Sequence, residues 1–277
     1  MKHYIKLTRP YLIWSILILV LPLLLIVLYS FTAGGNKLVN IQFTLENFKK
    51  IGEPVYLEVL KKSLLLGLLS VMISLLLGYT LAYVITRFSD GAQDLLILTV
   101  TIPMWINTLL RTYAWISLMS DNGIINKFLT SIGLDPVHMM YTDVAVLIGL
   151  ISDMLPFMVI PIHTSIRKID KSLIEASYDL GANHFQTFWR VIFKMSIPGV
   201  INGVMMTFLL SISTFVIPKL LGGGQYMLIG NLIETQFISV GNWNFGSAIS
   251  IILTIIIFVG ILLMKKFDKE EKKEDER

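Results

Sequence analysis

The chain has no cysteine, which excludes a disulfide scaffold and any thiolate metal site. Its four histidines never stand at His-x-x-x-His spacing, so no metal centre is expected. Charge is scarce as well: 15% of residues against about 25% in an ordinary globular domain. Apolar residues fill the gap at 55%, and the mean hydropathy is +0.72. Nor is there a basic stripe. The net charge of +4 is spread over both ends, and the dense run MKKFDKEEKKEDER mixes both signs, which excludes a nucleic-acid binder. No Gly-x-x-x-x-Gly-Lys-[Ser/Thr] loop occurs, nor any Gly-Lys dipeptide, so the chain lacks the phosphate cradle of an ATPase and is not expected to be an enzyme. Lys2, Lys6 and Arg9 precede an apolar run and imitate a secretory leader. The run is too long for one and no small-residue cleavage site follows, so an uncleaved first span is expected.

What the sequence does have is long apolar runs. A helix needs about 20 apolar residues to cross a bilayer. Six stretches qualify: Tyr11–Phe31, Ser63–Thr86, Leu95–Met119, Asp143–Ser165, Ile197–Pro218 and Gly246–Phe267. They are apolar all round, without the polar stripe of a soluble surface helix, and no short alternating segments suggest a barrel. The expected fold is an all-α membrane protein, one domain over residues 1–277 with six transmembrane helices, a cytoplasmic loop at 166–196 and a charged cytoplasmic tail at 268–277. Lys and Arg decide the orientation. One face carries 15 of them and the other 7, with Arg111 inside a span, so both termini are expected in the cytoplasm. Lys61 and Lys62 abut a span on the outer side, against the trend.

The loop IRKIDKSLIEASYDLGANHFQTFWRVIFKMSIPGV stands apart from the others. Asp170 can cap a helix beginning at Lys171 or Ser172; Ser172 is the second candidate cap, with Glu175 three residues on. Leu173, Ile174, Ala176, Ser177 and Leu180 make a short helix, and Gly181 permits the left-handed turn that ends it. A second helix is expected from His184 to about Lys194, with Phe185, Phe188, Trp189 and Ile192 on one face. This helix-turn-helix resembles the EAA loop of ABC importer permeases. Glu175, Ala176 and Gly181 match its pattern, and Ser177 replaces the second Ala. Val191, Phe193 and Lys194 replace the Ile, Leu and Pro at its end. The resemblance implies that Glu175, Ala176, Ser177, Gly181 and Phe185 couple the chain to an ATPase subunit.

A wider resemblance runs from about Trp14 to Lys265. It rests on FTLENF, IPMWINTLLRTYAW, LPFMVIPIHTSIRKIDKSLIEASYDLGA, GGGQYMLIGNLIETQF and NWNFGSAIS. On these stretches the chain is similar to the first permease subunit of spermidine/putrescine importers. The resemblance implies a bacterial inner-membrane location. It also implies a second permease subunit, two ATPase subunits that bind the ATP and Mg, and an external polyamine-binding protein. The remaining partner is membrane lipid, with no nucleic acid. Two alternatives stay open: a related importer permease for another small solute, and an ion-driven secondary transporter.

Polar residues within the spans supply the candidate pathway. Pro103, Asn107 and Arg111 recur at i, i+4, i+8 and are expected on one stripe of the third span. Asp153 lies near the middle of the fourth span, at a depth differing from Arg111 by roughly 5 Å. Two readings remain: an internal ion pair, or a carboxylate that lines the pathway and attracts a cation. Trp105 can offer its face to an ammonium, while Trp115 reads as an interfacial anchor. After Gly222, Gly223 and Gly224 a short helix over Leu228–Ile238 is expected to dip back, which makes Tyr226, Asn231, Glu234 and Trp243 candidates for an outer gate.

Overall fold

The computed structural model describes residues 2–33, 42–224 and 226–275. Its elements in chain order are α1 (Lys2–Ser30), β1 (Thr32–Ala33), β2 (Gln42–Phe43), α2 (Glu46–Ile51), α3 (Pro54–Ile85), α4 (Asp90–Trp105), α5 (Thr108–Met119), α6 (Ile124–Ser131) and α7 (Asp143–Arg167). There follow α8 (Lys171–Asp179), α9 (His184–Thr187), a π-turn at Phe188–Ile192, α10 (Phe193–Ser213), α11 (Val216–Leu221), α12 (Ile229–Glu234), a second π-turn at Thr235–Val240, and α13 (Trp243–Asp275). Among the described residues the regular elements are helical, apart from the antiparallel pairing of Thr32 with Phe43 and Ala33 with Gln42.

Among the described residues, four helical runs are long and apolar enough to cross a membrane: α3, α7, the continuous run His184–Ser213, and Trp243–Lys265 of α13. The expected third span is not one straight helix. It is broken between Trp105 and Thr108, and the two pieces meet at 94°. Ile106 is extended, and the Asn107 side chain starts a new helix by accepting from the Leu109 amide at 2.8 Å. Pro103 lacks the N–H that would tie it to the preceding turn, which weakens the helix just before the break. The expected stripe of Pro103, Asn107 and Arg111 on one helix face therefore does not exist. Counted as one span, the bent pair is the fifth; Trp14–Ser30 of α1 is apolar but shorter.

Three further expectations change. The helix beginning at His184 does not stop near Lys194; it continues through the π-turn into α10, so loop and span are one rod. The expected fifth span to Pro218 instead ends at Ser213. Thr214 is extended, and α11 starts afresh at Val216. Helix α13 also runs on to Asp275, through most of the stretch expected as a tail.

The chain divides into two compact units, one of residues 1–60 with 229–257, the other of residues 61–228 with 258–277. In the first, two asparagines close the C-terminal end of α1. Asn47 Nδ2 donates to the Ser30 and Thr32 carbonyls at 3.1 and 3.0 Å, and Asn244 Nδ2 to those of Tyr29 and Thr32 at 3.0 and 2.7 Å. Helix ends leave such carbonyls without an intrahelical partner, so the amides satisfy groups that would otherwise be stranded.

In the second unit α7 is the axis. Val146, Leu150, Met154, Met158, Ile162 and Ile166 recur at four-residue spacing and are all buried. Helix α10 lies against it on small residues: Ser196, Gly199, Gly203, Thr207 and Ser211 form one buried row. A Cβ on Gly199 would stand 2.5 Å from the Pro161 carbonyl oxygen, so glycine is what allows the backbones this close. Helices in a bilayer gain little from burying apolar surface and associate through such close packing.

Candidate functional site

The loop between α7 and α10 is built from backbone rules upward. The Asp170 carboxylate accepts from the Ser172 amide at 3.0 Å and caps α8. That hydrogen bond holds the Asp170 carboxyl below its ordinary value. At the other end Gly181 has φ +81°; its amide donates to the Tyr178 carbonyl at 2.9 Å, and the Ala182 amide to that of Ser177 at 3.0 Å. These two bonds form a Schellman closure. The capping box lies in the next helix, not at Ser172 and Glu175. Asn183 and Gln186 exchange side-chain and backbone bonds at 2.9 and 3.0 Å.

Ser177, which stands where the pattern has Ala, joins the two arms. Its Oγ donates to the Ile174 carbonyl at 2.7 Å and lies 2.9 Å from the hydroxyl of Thr187. The Tyr178 hydroxyl and His184 Nδ1 add a second link at 2.8 Å. Helix α8 itself buries none of its residues: Glu175 and Ala176 are exposed, Leu180 and Phe185 are 89% and 71% exposed. Beside it lies an open groove of about 400 Å³ lined by Leu180, Gly181, Ala182, Gln186, Arg190 and Val191. The hairpin is thus internally stiff and presents an unpartnered surface.

Its base is anchored in the second unit. Phe188 meets Tyr79 and Tyr83 edge-on at 5.8 and 5.0 Å, and Tyr79 Oη lies 2.9 Å from Ser196 Oγ. Arg167, the last residue of α7, pairs with Asp94 at 2.5 Å. Buried His163 lies with Nε2 3.1 Å from Gln93 Oε1; a carbonyl oxygen only accepts, so that nitrogen donates. Gln93 Nε2 in turn donates to the Phe88 carbonyl at 2.9 Å, which ties the turn between α3 and α4 to α7.

The intramembrane candidates separate. Arg111 and Asp153 are brought together as an ion pair, with side chains 16% and 12% exposed. Arg111 Nη1 also donates to the Pro103 carbonyl at 2.6 Å, so the guanidinium bridges the break between α4 and α5. Trp115 is half-buried and donates from Nε1 to Ser152 Oγ at 2.8 Å, next to Asp153 in sequence. Trp105 is 86% exposed and Asn107 is exposed, both at the break; the Asn107 carbonyl accepts from the Arg111 amide at 3.1 Å. Glu234 is half-buried at the end of α12, in the other unit from Asp153, and Asn231 is buried on the same helix.

Tyr226 finds partners that the sequence reading did not assign to it. Its hydroxyl donates to the Asp143 carboxylate, and Lys62 Nζ lies 2.9 Å from that carboxylate and 4.1 Å from the Tyr226 ring centre. Burial and the adjacent carboxylate push the Tyr226 phenol up, so it stays protonated and donates. Lys62 stood out in sequence only as a cation on the outer side of a span, and Asp143 only as the first residue of one.

The family described as binding-protein-dependent transport system inner membrane component matches residues 1–273. The spermidine/putrescine transport system permease protein PotB of Escherichia coli (strain K12) is 39% identical over 254 residues, covering 91% of this chain and 92% of the relative. PotB of Haemophilus influenzae is 36% identical over 259 residues, covering 92% and 91%. Among solved structures, a bacterial alginate ABC transporter in complex with an alginate pentasaccharide-bound periplasmic protein has a chain that superimposes with a TM-score of 0.81 at 18% identity, over 96% of this chain and 94% of that one. At that identity the likeness establishes the fold alone. With nearly its whole length matched and its helical fold shared, this chain belongs to the family of binding-protein-dependent transport system inner membrane components.

Proposed function

We propose that the chain is the permease subunit of an ATP-driven importer and forms half of a translocation pathway for polyamines such as spermidine and putrescine. The observation that carries this is the 39% identity to a spermidine/putrescine permease across 91% of the chain. The importer is completed by a second permease subunit, two ATPase subunits that bind ATP and Mg, and an external binding protein that delivers the cargo.

In this reading the bent pair and α1 complete six spans, both termini face the cytoplasm, and α8 docks on the ATPase. The geometry suits that task. A helix that buries nothing of its own is free to seat in a partner's groove, with Glu175 setting its orientation and Ala176 and Gly181 allowing close approach. Because Ser177 and Thr187 join its two arms, and His184–Ser213 is one continuous helix, a push on α8 reaches α10 without passing through a loose joint. Phe185 and the groove beside Gly181 supply the apolar part of the contact. Arg111, Asp153, Tyr226 and Glu234 serve the pathway or its outer gate.

The test is reconstitution with the partner subunits, followed by uptake of radiolabelled spermidine with unlabelled putrescine as competitor. ATP-dependent uptake is expected, and an ATPase subunit should co-purify. Absence of both would overturn the importer reading; uptake of another solute alone would overturn the cargo. For topology, reporter fusions at Arg277 and within the Gly222–Asn244 loop should report opposite sides of the membrane, and an external C-terminus would refute the six-span arrangement.

A further inference from the structure

We infer that Asp143 and Tyr226 form an ammonium-binding site, that Lys62 occupies it from within the chain, and that an amine of the cargo takes the lysine's place during entry. The cargo half of this inference rests on the polyamine reading; the site itself rests on geometry.

An alkylammonium is held by two things: an anion that accepts its N–H bonds and an aromatic face that attracts its charge. Both are present. The Asp143 carboxylate lies 2.9 Å from Lys62 Nζ, and the Tyr226 ring centre lies 4.1 Å from it. The Tyr226 hydroxyl donates to the same carboxylate, which fixes acceptor and ring relative to each other. The lysine side chain is four methylenes ending in –NH3⁺, the same group that ends an aminobutyl polyamine. The resident ammonium therefore displays how such a cargo would be held.

The ring is seated by the glycine turn. Tyr226 folds back over Gly222, where a Cβ would fall 2.3 Å from the ring's Cγ. Gly223 has φ +81°, and its carbonyl accepts from the Tyr226 amide at 3.0 Å. The Tyr141 amide, donating to the Leu221 carbonyl at 2.9 Å, holds the turn against the segment leading into α7. Sequence distance is large and spatial distance small, so the site exists only because α3, α7 and this turn meet.

Access and exchange are both provided for. The Lys62 and Asp143 side chains are 40% and 58% exposed, and ion pairs this open to water hold weakly, so a free amine can compete. Asp143 opens α7 while Arg167 closes it, and in a helix of 25 residues a rise of about 1.5 Å per residue places its ends about 36 Å apart. On the topology proposed above the site is at the outer mouth, opposite the ATPase. A tethered ammonium keeps binding there weak, which suits a site that must hand its cargo on.

The test uses the complete importer in nanodiscs without the external binding protein, and measures binding of radiolabelled putrescine. Lys62→Gln and Lys62→Met should each bind it at least tenfold more tightly than the parent, because the internal competitor is gone. Lys62→Arg should stay near the parent. Adding Asp143→Asn to Lys62→Gln should remove the gain; adding Tyr226→Leu should remove part of it and Tyr226→Phe little. Co-purification of the ATPase subunits shows that each variant has assembled. No gain in either uncharged Lys62 variant, or a gain that survives Asp143→Asn, would overturn the site. Spermidine uptake by the parent importer is measured alongside. Uptake without the binding gain refutes the site alone; the gain without uptake refutes the polyamine reading and the cargo half of the inference.

Discussion

Replacing Asp153 by Asn removes one half of an ion pair whose two side chains are 16% and 12% exposed. Arg111 would keep its charge and its hydrogen bond to the Pro103 carbonyl but lose the carboxylate that neutralises it. Breaking a buried pair in this way costs about 3–5 kcal/mol, because the surviving charge is left in a poor solvent. The retained Pro103 bond and the residual exposure put the expected cost near the lower end, about 3 kcal/mol, or roughly a hundredfold in the folding equilibrium. Arg111→Gln should cost a similar amount, since it leaves the Asp153 carboxylate alone and also frees the Pro103 carbonyl at the break in the third span. The double variant Arg111→Gln with Asp153→Asn carries neither charge and should recover most of the loss. Thermal stability and membrane abundance of the parent, both singles and the double would complete the cycle, with uptake measured on each. Losses that simply add, so that the double is the least stable of the four, would refute the ion pair as a structural element. Recovery of abundance without recovery of uptake would show that the cargo uses Asp153 itself.

Gly181→Ala should depress uptake at normal membrane abundance: a Cβ there meets nothing within 4 Å, so the effect is the cost of a left-handed residue, about 1–2 kcal/mol, felt only by the α8 hairpin. Normal ATP-driven uptake in Gly181→Pro and Glu175→Arg would refute the coupling role of α8. Gly199→Ala should lower the melting temperature, because its Cβ would stand 2.5 Å from the Pro161 oxygen and about 1–3 kcal/mol of overpacking would separate α10 from α7; an unchanged melt would refute that packing. The Asp170 cap lowers that carboxyl below 3.8, so its stabilisation is fully present above pH 3.8 and is lost only as pH falls through the lower folded value. Uptake between pH 5 and 8, as about the range in which folded proteins are most stable, should therefore be insensitive to Asp170→Asn, which still caps, and reduced by Asp170→Ala; equal loss in both would refute the capping role.

The sequence by itself determined what a local stretch of chain can decide. Runs of apolar residues long enough for a bilayer mark α3, α7 and α13 without reference to any neighbour, because each helix satisfies its own backbone hydrogen bonds. Asp170 and Gly181 delimit α8 for the same kind of reason: a capping carboxylate and a residue free to adopt φ +81° act within one turn. The depth of Arg111 and Asp153 along their spans suggested that they could meet. What tertiary structure decided is how the helices pack. It bent the third span at Ile106 and Asn107, where Pro103 weakens the helix without fixing the angle of the turn, and it carried the helix from His184 through a π-turn into α10. It also turned a serine in an alanine's place into a clasp on Thr187. Above all it joined Lys62, Asp143 and Tyr226, which share no periodicity and lie in separate parts of the chain. Ion pairs and cation–π contacts act over a few ångströms of space, so no pattern along the chain encodes them until small residues such as Gly222 have set how closely the backbone folds.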